Sequence, residues 1–137
     1  MEKSNMFDKS SPLLCSCCGK DLFKNINASI VVIATDNDDN IFSVEPCCKG
    51  ACDKTIVGNL PKGISDGWKE LSTFVNPYLY LKHTMAMFNQ TNDGKKFMNT
   101  ESFENYKQIL ICSAPYVMRD LTNGEKESAS LDDMIPF

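Results

Sequence analysis

The sequence has few of the features that enzymes rely on. It contains one histidine, His83, and it has no Gly-rich phosphate loop, no G-x-S-x-G and no H-E-x-x-H motif. Any histidine-dependent dyad or triad would have to use His83. This residue stands beside Lys82 in a helical stretch, off the apolar stripe, which predicts a solvated side chain. We therefore expect a protein that is not an enzyme.

Long apolar runs are also absent. The opening residues M-E-K-S-N-M-F-D-K-S-S-P contain no uninterrupted apolar stretch, and no later window approaches the roughly 20 apolar residues that span a bilayer. These features predict a cytoplasmic protein. In a reducing compartment seven cysteines are not expected to form a disulfide framework, and clustered cysteines there usually bind metal.

Charge is distributed unevenly along the 137 residues. Residues 1–119 carry 13 basic and 13 acidic side chains, whereas residues 120–137 carry one lysine and five acids, so the net charge of -4 comes from the tail. The length predicts one domain. We expect a flexible lead at 1–12, a folded domain at 13–121, a disordered linker at 122–131 and a protein-interaction tip at 132–137.

A β-hairpin is predicted in the first half of the folded domain. The stretch N-A-S-I-V-V-I-A-T-D is apolar and β-branched, N-D-D-N at 37–40 has turn chemistry, and I-F-S-V-E-P continues an extended pattern. Cysteine clusters lie at both open ends of this hairpin. Residues 58–67 hold three glycines and a proline, which predicts irregular structure.

About three helices are predicted after the hairpin. The first is expected to bury Trp68, Leu71 and Phe74 or Val75. The second begins with Asn76 as its cap and Pro77 at its first position. Its inward stripe is predicted to contain the following residues: Tyr78, Leu81, Met85 and Phe88.

A third helix is predicted to start near Thr100 or Ser102, with Phe103, Tyr106 and Leu110 inward. Pro115 should end or kink it around Ala114. The complete pattern is that of an α+β domain, in which a zinc-bound β-hairpin is followed by about three helices and a disordered acidic C-terminal tail.

The cysteine spacing predicts a metal site. Cys15 and Cys18 form a C-x2-C pair followed by Gly19, and Cys48 and Cys52 form a second pair. Two short pairs of thiolates are typical ligands of tetrahedral structural Zn²⁺. Cys17 and Cys47 are alternative ligands. Residues 15–20 resemble the zinc knuckle of zinc ribbons and treble clefs, and four thiols favour a closed, structural site over a catalytic one.

Single-stranded DNA is a candidate partner. Lys95, Lys96 and Phe97 combine cations with an aromatic ring, and Lys82 lies near further aromatic residues. Single-strand binders use such combinations to contact phosphates and to stack on bases. Residues 1–119, whose net charge is zero, lack the basic stripe of a strong nonspecific binder.

The last residues have the character of a ligand for another protein. The order L-D-D-M-I-P-F resembles the C-terminal tip of bacterial single-stranded DNA-binding proteins, which ends in acids, Ile or Leu, Pro and Phe. The resemblance implies that the tip docks onto replication, recombination or repair enzymes. The predicted partner-binding residues are Asp132, Asp133, Met134, Ile135, Pro136 and Phe137. Met134 replaces an acid that the family commonly has.

These patterns favour a bacterial, phage or mobile-element protein that associates with single-stranded DNA near the nucleoid and recruits genome-maintenance enzymes through its tip. One alternative is an adaptor or competitor that copies the tip without binding DNA. Another is a zinc-dependent hydrolase or nucleotide-modifying enzyme, which would need an open coordination position on the metal.

Overall fold

A three-stranded antiparallel sheet forms the centre of the protein. The computed structural model describes residues 11–118 and 120–131. Strand β1 (Ser29–Thr35) and strand β2 (Ile41–Cys48) form the predicted hairpin, and β1 also pairs with strand β3 (Ser65–Glu70), which gives the order β2-β1-β3. A 3₁₀ helix at Leu22–Ala28 precedes the sheet, and helix α1 (Ala51–Gly58) follows β2. The α+β class predicted from the sequence is confirmed.

Strand β3 replaces the last three residues of the irregular segment and the start of the helix that the sequence predicted, while residues 59–64 are irregular as expected. The strand lies alongside β1, and an added Cβ on Gly67 would meet the carbonyl oxygen of Ile33 at 3.3 Å. Trp68 pairs with Val32 and is 57% exposed, so it is not a core residue. The predicted helix is limited to one short helix, α2 (Leu71–Val75), because residues 65–70 belong to β3; Leu71 and Phe74 are its buried residues.

The core lies between the sheet and the helices. Helix α3 spans Pro77–Asn92 and helix α4 spans Thr100–Val117. β1 is almost completely buried because side chains on both of its faces are covered. The largest fully buried apolar side chains are contributed by every layer: Leu22, Val31, Val32, Val44, Leu71, Phe74 and Ile109.

Helix α3 begins as predicted but turns a different face inward. The side-chain oxygen of Asn76 accepts hydrogen bonds from the backbone N–H groups of the first turn, and Pro77 follows. The inward side consists of partly buried residues, among them Tyr80 and Met87. The hydroxyl of Tyr80 donates a hydrogen bond to the carbonyl oxygen of Leu110 at 3.0 Å. The predicted inward stripe is instead exposed: Tyr78, Leu81, Met85 and Phe88.

His83 lies on the inward side of α3, so the predicted solvated position is wrong. Its Nδ1 is 2.9 Å from the hydroxyl oxygen of Tyr106, and its ring meets the Phe74 ring edge-on at 5.0 Å. Burial lowers the pKa of His83, and the positive charge of Lys69 lowers it further. The folded protein therefore holds this imidazole preferentially in its neutral form.

The stability of the protein is expected to fall as the pH drops below the ordinary histidine pKa of about 6.5. The folded pKa of His83 is lowered, so the unfolded chain binds more protons in that range and folding becomes less favourable. The loss should be small, because solvent screens a partly exposed group. Urea unfolding at pH 7.5 and at pH 5.5 measures it.

The control is His83→Gln, which removes the only histidine and keeps a hydrogen-bonding group near Tyr106. The difference in unfolding free energy between the two pH values should be smaller in this variant than in the natural chain. Equal pH dependence in the two proteins would contradict a folded state that favours neutral His83.

Helix α4 also differs in detail from its prediction. Asn99 caps it, Tyr106 faces the core as predicted, and Leu110 is partly buried, but Phe103 is 42% exposed. The helix continues through Pro115 and ends two residues later, at Val117, so the proline lies in its last turn.

The tail begins with a short helix where the sequence predicted a linker without regular structure. Helix α5 (Asn123–Ser130) starts at a capping box, in which Thr122 and Glu125 each accept a hydrogen bond from the other's backbone N–H. Local capping thus gives helical structure to a segment that buries no side chain. The predicted tip at 132–137, and the predicted lead except for residues 11 and 12, lie outside the described residues.

None of the helices described within 11–118 and 120–131 combines the length and the apolar character that crossing a bilayer requires.

Candidate metal centre

The first cysteine pair lies on a tight turn beside the end of β2. Leu14 and Asp21 form an isolated antiparallel bridge at the base of this turn, and Gly19 has a φ of 79°, a left-handed conformation that glycine adopts without strain. The N–H of Ser16 donates to the carbonyl oxygen of Pro46 at 2.9 Å. This bond holds the turn against the hairpin.

The second pair lies where β2 gives way to α1. Cys48 is the last residue of β2, and Cys52 is in the first turn of α1. Gly50 between them has a φ of 98°, so the chain can reverse direction and bring the start of the helix back toward the strand. The antiparallel register places Ser29 opposite Cys48, which fixes the strand end relative to β1.

The four predicted cysteines meet at one point. The sulfur atoms of Cys15, Cys18, Cys48 and Cys52 all lie within 4.8 Å of one another, and those of Cys18 and Cys48 are 3.7 Å apart. Cys15 and Cys52 are buried, Cys48 is half-buried and Cys18 is exposed. The cluster therefore stands at the surface edge of the core, where four thiols could hold a metal ion.

The protein environment differs among the four thiols. Burial raises the pKa of Cys15, but backbone N–H groups of Cys18, Cys48 and Cys17 outweigh burial and lower it to about 6. The two bonds from Cys17 and Cys18 measure 3.4 Å. Burial and the neighbouring sulfurs raise the pKa of Cys48 to about 11, and they raise the pKa of Cys52.

These opposing shifts have different causes. Backbone N–H groups stabilise the thiolate of Cys15, whereas burial first and the neighbouring sulfurs second disfavour ionisation of Cys48 and Cys52. A cation at the centre would reverse this effect, because a coordinating thiol loses its proton to the metal. The donor set is therefore suited to a divalent ion that prefers sulfur ligands.

The other cysteines do not belong to this group of four sulfurs. Cys47 is completely buried in the core, while Cys17 is exposed on the turn and its thiol interacts with that of Cys52. Burial raises the pKa of Cys47 to about 12. Cys112 is buried in α4, where its thiol contacts the carbonyl oxygen of Pro12 at 3.6 Å. Among the described residues, Cys17 and Cys47 are not in the group of four whose sulfurs lie within 4.8 Å of one another.

The residues predicted to contact nucleic acid lie on two parts of the chain, helix α3 and the segment that follows it. Lys82 is exposed on α3 and lies 5.5 Å from the centre of the Tyr78 ring. Lys95 is half-buried and Lys96 is exposed, just before Phe97. Phe97 is only partly exposed, because its ring packs against other aromatic rings beside the core.

An exposed aromatic residue that the sequence assigned to the core lies next to Phe97. The rings of Phe97 and Phe103 are 5.4 Å apart, and the ammonium group of Lys107 is 5.2 Å from the centre of the Phe103 ring. Lys107 also forms an ion pair of 3.4 Å with Glu104. The i, i+4 spacing of Phe103 and Lys107 in the sequence indicates that these two side chains can meet on a helix surface. Helical periodicity, however, predicted that Phe103 faces the core.

Comparison of the chain with protein-family models, curated proteins and solved structures gives no match.

Proposed function

We propose that this chain is a zinc-stabilised, non-enzymatic protein that associates with single-stranded DNA in the cytoplasm and recruits replication, recombination or repair enzymes through residues 132–137. The DNA-binding part rests on one surface feature. We call it the basic aromatic patch, and it consists of Lys95, Lys96, Phe97, Phe103 and Lys107.

Zinc is the metal that the four sulfurs favour. Two thiolates bound tetrahedrally at about 2.3 Å from Zn²⁺ are separated by roughly 3.8 Å, and the sulfurs of Cys18 and Cys48 are 3.7 Å apart. Small shifts of the other thiols, which already lie within 4.8 Å, would complete the tetrahedron. The order of turn, hairpin and helix start resembles a treble clef more than a zinc ribbon, because the second pair ends on a helix.

A structural role for this zinc follows from its ligands. Four thiolates leave no open position for water or substrate, which favours a closed site over the hydrolase alternative. The ligands come from the first turn, the end of β2 and the start of α1, so one ion would join three segments. Binding free energy at such a site stabilises the fold.

The basic aromatic patch combines the two elements of single-strand recognition. Phe103 exposes 42% of its surface, enough for a base to stack on the ring, and Lys107 lies over the same ring. Lys96 is exposed at the neighbouring segment and could contact phosphate. Residues 132–137 have the order of an acidic tip, and an apolar pocket with a basic rim on a partner enzyme would accept them.

Phe103→Ala is expected to weaken binding of a fluorescently labelled single-stranded oligonucleotide roughly tenfold, because one stacked base contributes about 1–3 kcal/mol. Fluorescence anisotropy at low salt measures this, with the chain truncated after residue 131 so that the acidic tip does not repel DNA. Affinity no better than tens of micromolar in the truncated protein would overturn the DNA-binding part.

A pair of lysine variants provides the control. Lys96→Gln should reduce the slope of log affinity against log salt by about 0.7, the value for one phosphate contact on a single strand. Lys62→Gln changes an exposed lysine in the loop before β3 and should leave the slope unchanged. Equal salt slopes for Lys96→Gln and Lys62→Gln would mean that the phosphate contact lies outside the basic aromatic patch.

The neutral charge of residues 1–119 favours a second candidate, an adaptor that uses residues 132–137 to occupy genome-maintenance enzymes without binding DNA. An adaptor of this kind predicts that the full chain displaces a labelled tip peptide from a tip-binding enzyme. It also predicts that Phe103→Ala has no effect in the anisotropy experiment.

A further inference from the structure

Helix α3 carries a second apolar stripe that the fold does not cover. We call it the α3 seam, and it consists of Tyr78, Leu81, Met85 and Phe88, which are 70%, 59%, 54% and 68% exposed. The seam lies on a different side of the helix from the residues that pack inward. Four large apolar side chains in one exposed row are unusual on a surface that contacts only water.

The spacing of the seam is that of a helix–helix interface. Its residues follow one another at intervals of three, four and three, the a and d positions of a heptad. Leucine and methionine stand in the middle and aromatic rings at the two ends. Aromatic residues and Met are enriched at protein interfaces and charged residues are depleted there, so this composition favours a protein partner.

The charge of α3 favours a second copy of the chain as that partner. Lys82 is the only charged side chain among the 16 residues of the helix, so the seam offers no charge pattern by which to select a foreign helix. The interval order three, four, three reads the same in both directions. An antiparallel copy would therefore bring Tyr78 opposite Phe88 and Leu81 opposite Met85.

We propose that the chain forms a two-fold symmetric homodimer by antiparallel pairing of the α3 seam with the seam of a second copy. Such an interface is isologous, because the same residues contribute on both sides. Each exposed apolar side chain is paired with another apolar side chain. No residue of the seam belongs to the basic aromatic patch, which lies on α4 and on the segment before it, so different variants test the two proposals.

The size of the seam predicts a weak dimer. Four side chains of this kind lose roughly 100 Å² each on pairing, or roughly 800 Å² for both copies. Their polar flanks raise this value to about 1,000 Å², which lies at the lower limit of specific interfaces. The dissociation constant should then be about 10–100 μM.

Lys82 adds a test of the antiparallel geometry. It flanks the seam one residue from its midpoint, so the two-fold axis brings the two Lys82 side chains to the same side of the dimer. Their repulsion opposes pairing and is screened by salt. Lys82→Gln should therefore tighten the dimer about twofold at low salt.

Sedimentation equilibrium of the full, metal-loaded chain without DNA tests the proposal. The natural chain should change from monomer to dimer between about 1 and 300 μM. Met85→Lys should remain monomeric, and Met98→Lys, which changes an exposed methionine outside the seam, should dimerise like the natural chain. Circular dichroism at 5 μM checks that both variants fold.

Two outcomes would overturn the proposal. One is a natural chain that stays monomeric at 300 μM, and the other is dimerisation that Met85→Lys and Met98→Lys affect equally. Neither outcome bears on DNA binding, which the anisotropy experiment tests with variants of the basic aromatic patch.

Discussion

Cys18→Ser is expected to release the metal and to lower the unfolding free energy by at least about 3 kcal/mol, which corresponds to a fall in Tm of roughly 10 °C. Cys18 is exposed, so its replacement creates no cavity in the core, and a large effect would come from the lost ligand. The sulfur that it removes is 3.7 Å from that of Cys48 and belongs to the four-sulfur cluster.

The neighbouring variant Cys17→Ser is the matched control. Cys17 is an exposed thiol on the same turn, but its sulfur is outside the cluster. This variant should keep its metal and melt within about 2 °C of the natural chain. Thermal unfolding of both proteins, with metal content measured by mass spectrometry, makes the comparison. Equal melting temperatures would mean that the cluster does not hold the fold together.

Phe74→Ala should destabilise the protein by about 3–5 kcal/mol, because the ring is completely buried and its removal leaves a cavity in the core. The ring stands in α2 and contacts His83 of α3 edge-on, so α2 and α3 would both lose packing. Chemical denaturation at low protein concentration, below the range of dimer formation, measures the change.

Phe88→Ala is the control for this second prediction. The sequence placed Phe88 in the core, but 68% of its surface is exposed. Its truncation should change the unfolding free energy by no more than about 0.5 kcal/mol in the monomer. If Phe74→Ala and Phe88→Ala lowered the unfolding free energy by similar amounts, Phe88 could not lie on the exposed side of α3, and the orientation of this helix would be wrong.

The local features of the fold could be predicted from the sequence because local chemistry determines them. The hairpin follows from β-branched residues on both sides of turn residues, and the start of α3 follows from Asn76 and Pro77. The cluster of four cysteines could be predicted for the same reason, since C-x2-C and C-x3-C are short-range patterns. The four cysteines required only the hairpin to bring them together.

The remaining features depend on contacts between distant segments. Strand β3 has the sequence S-D-G-W-K-E, which has little β propensity of its own, and it exists because β1 offers an unpaired edge. Helix α3 has two apolar stripes, and periodicity cannot indicate which of them meets the core. The face that meets the core is held there by contacts with distant segments, among them those of His83 with Tyr106 of α4 and with Phe74 of α2.

The most direct test of the central claim is X-ray absorption at the zinc edge of the purified full chain. A zinc-stabilised hairpin predicts one zinc ion per chain with four sulfur neighbours at about 2.3 Å. Cys17→Ser should give the same spectrum, and Cys18→Ser should lose it. Nitrogen or oxygen neighbours in place of sulfur, or a folded natural chain without zinc, would contradict the claim that the four cysteines hold this fold together.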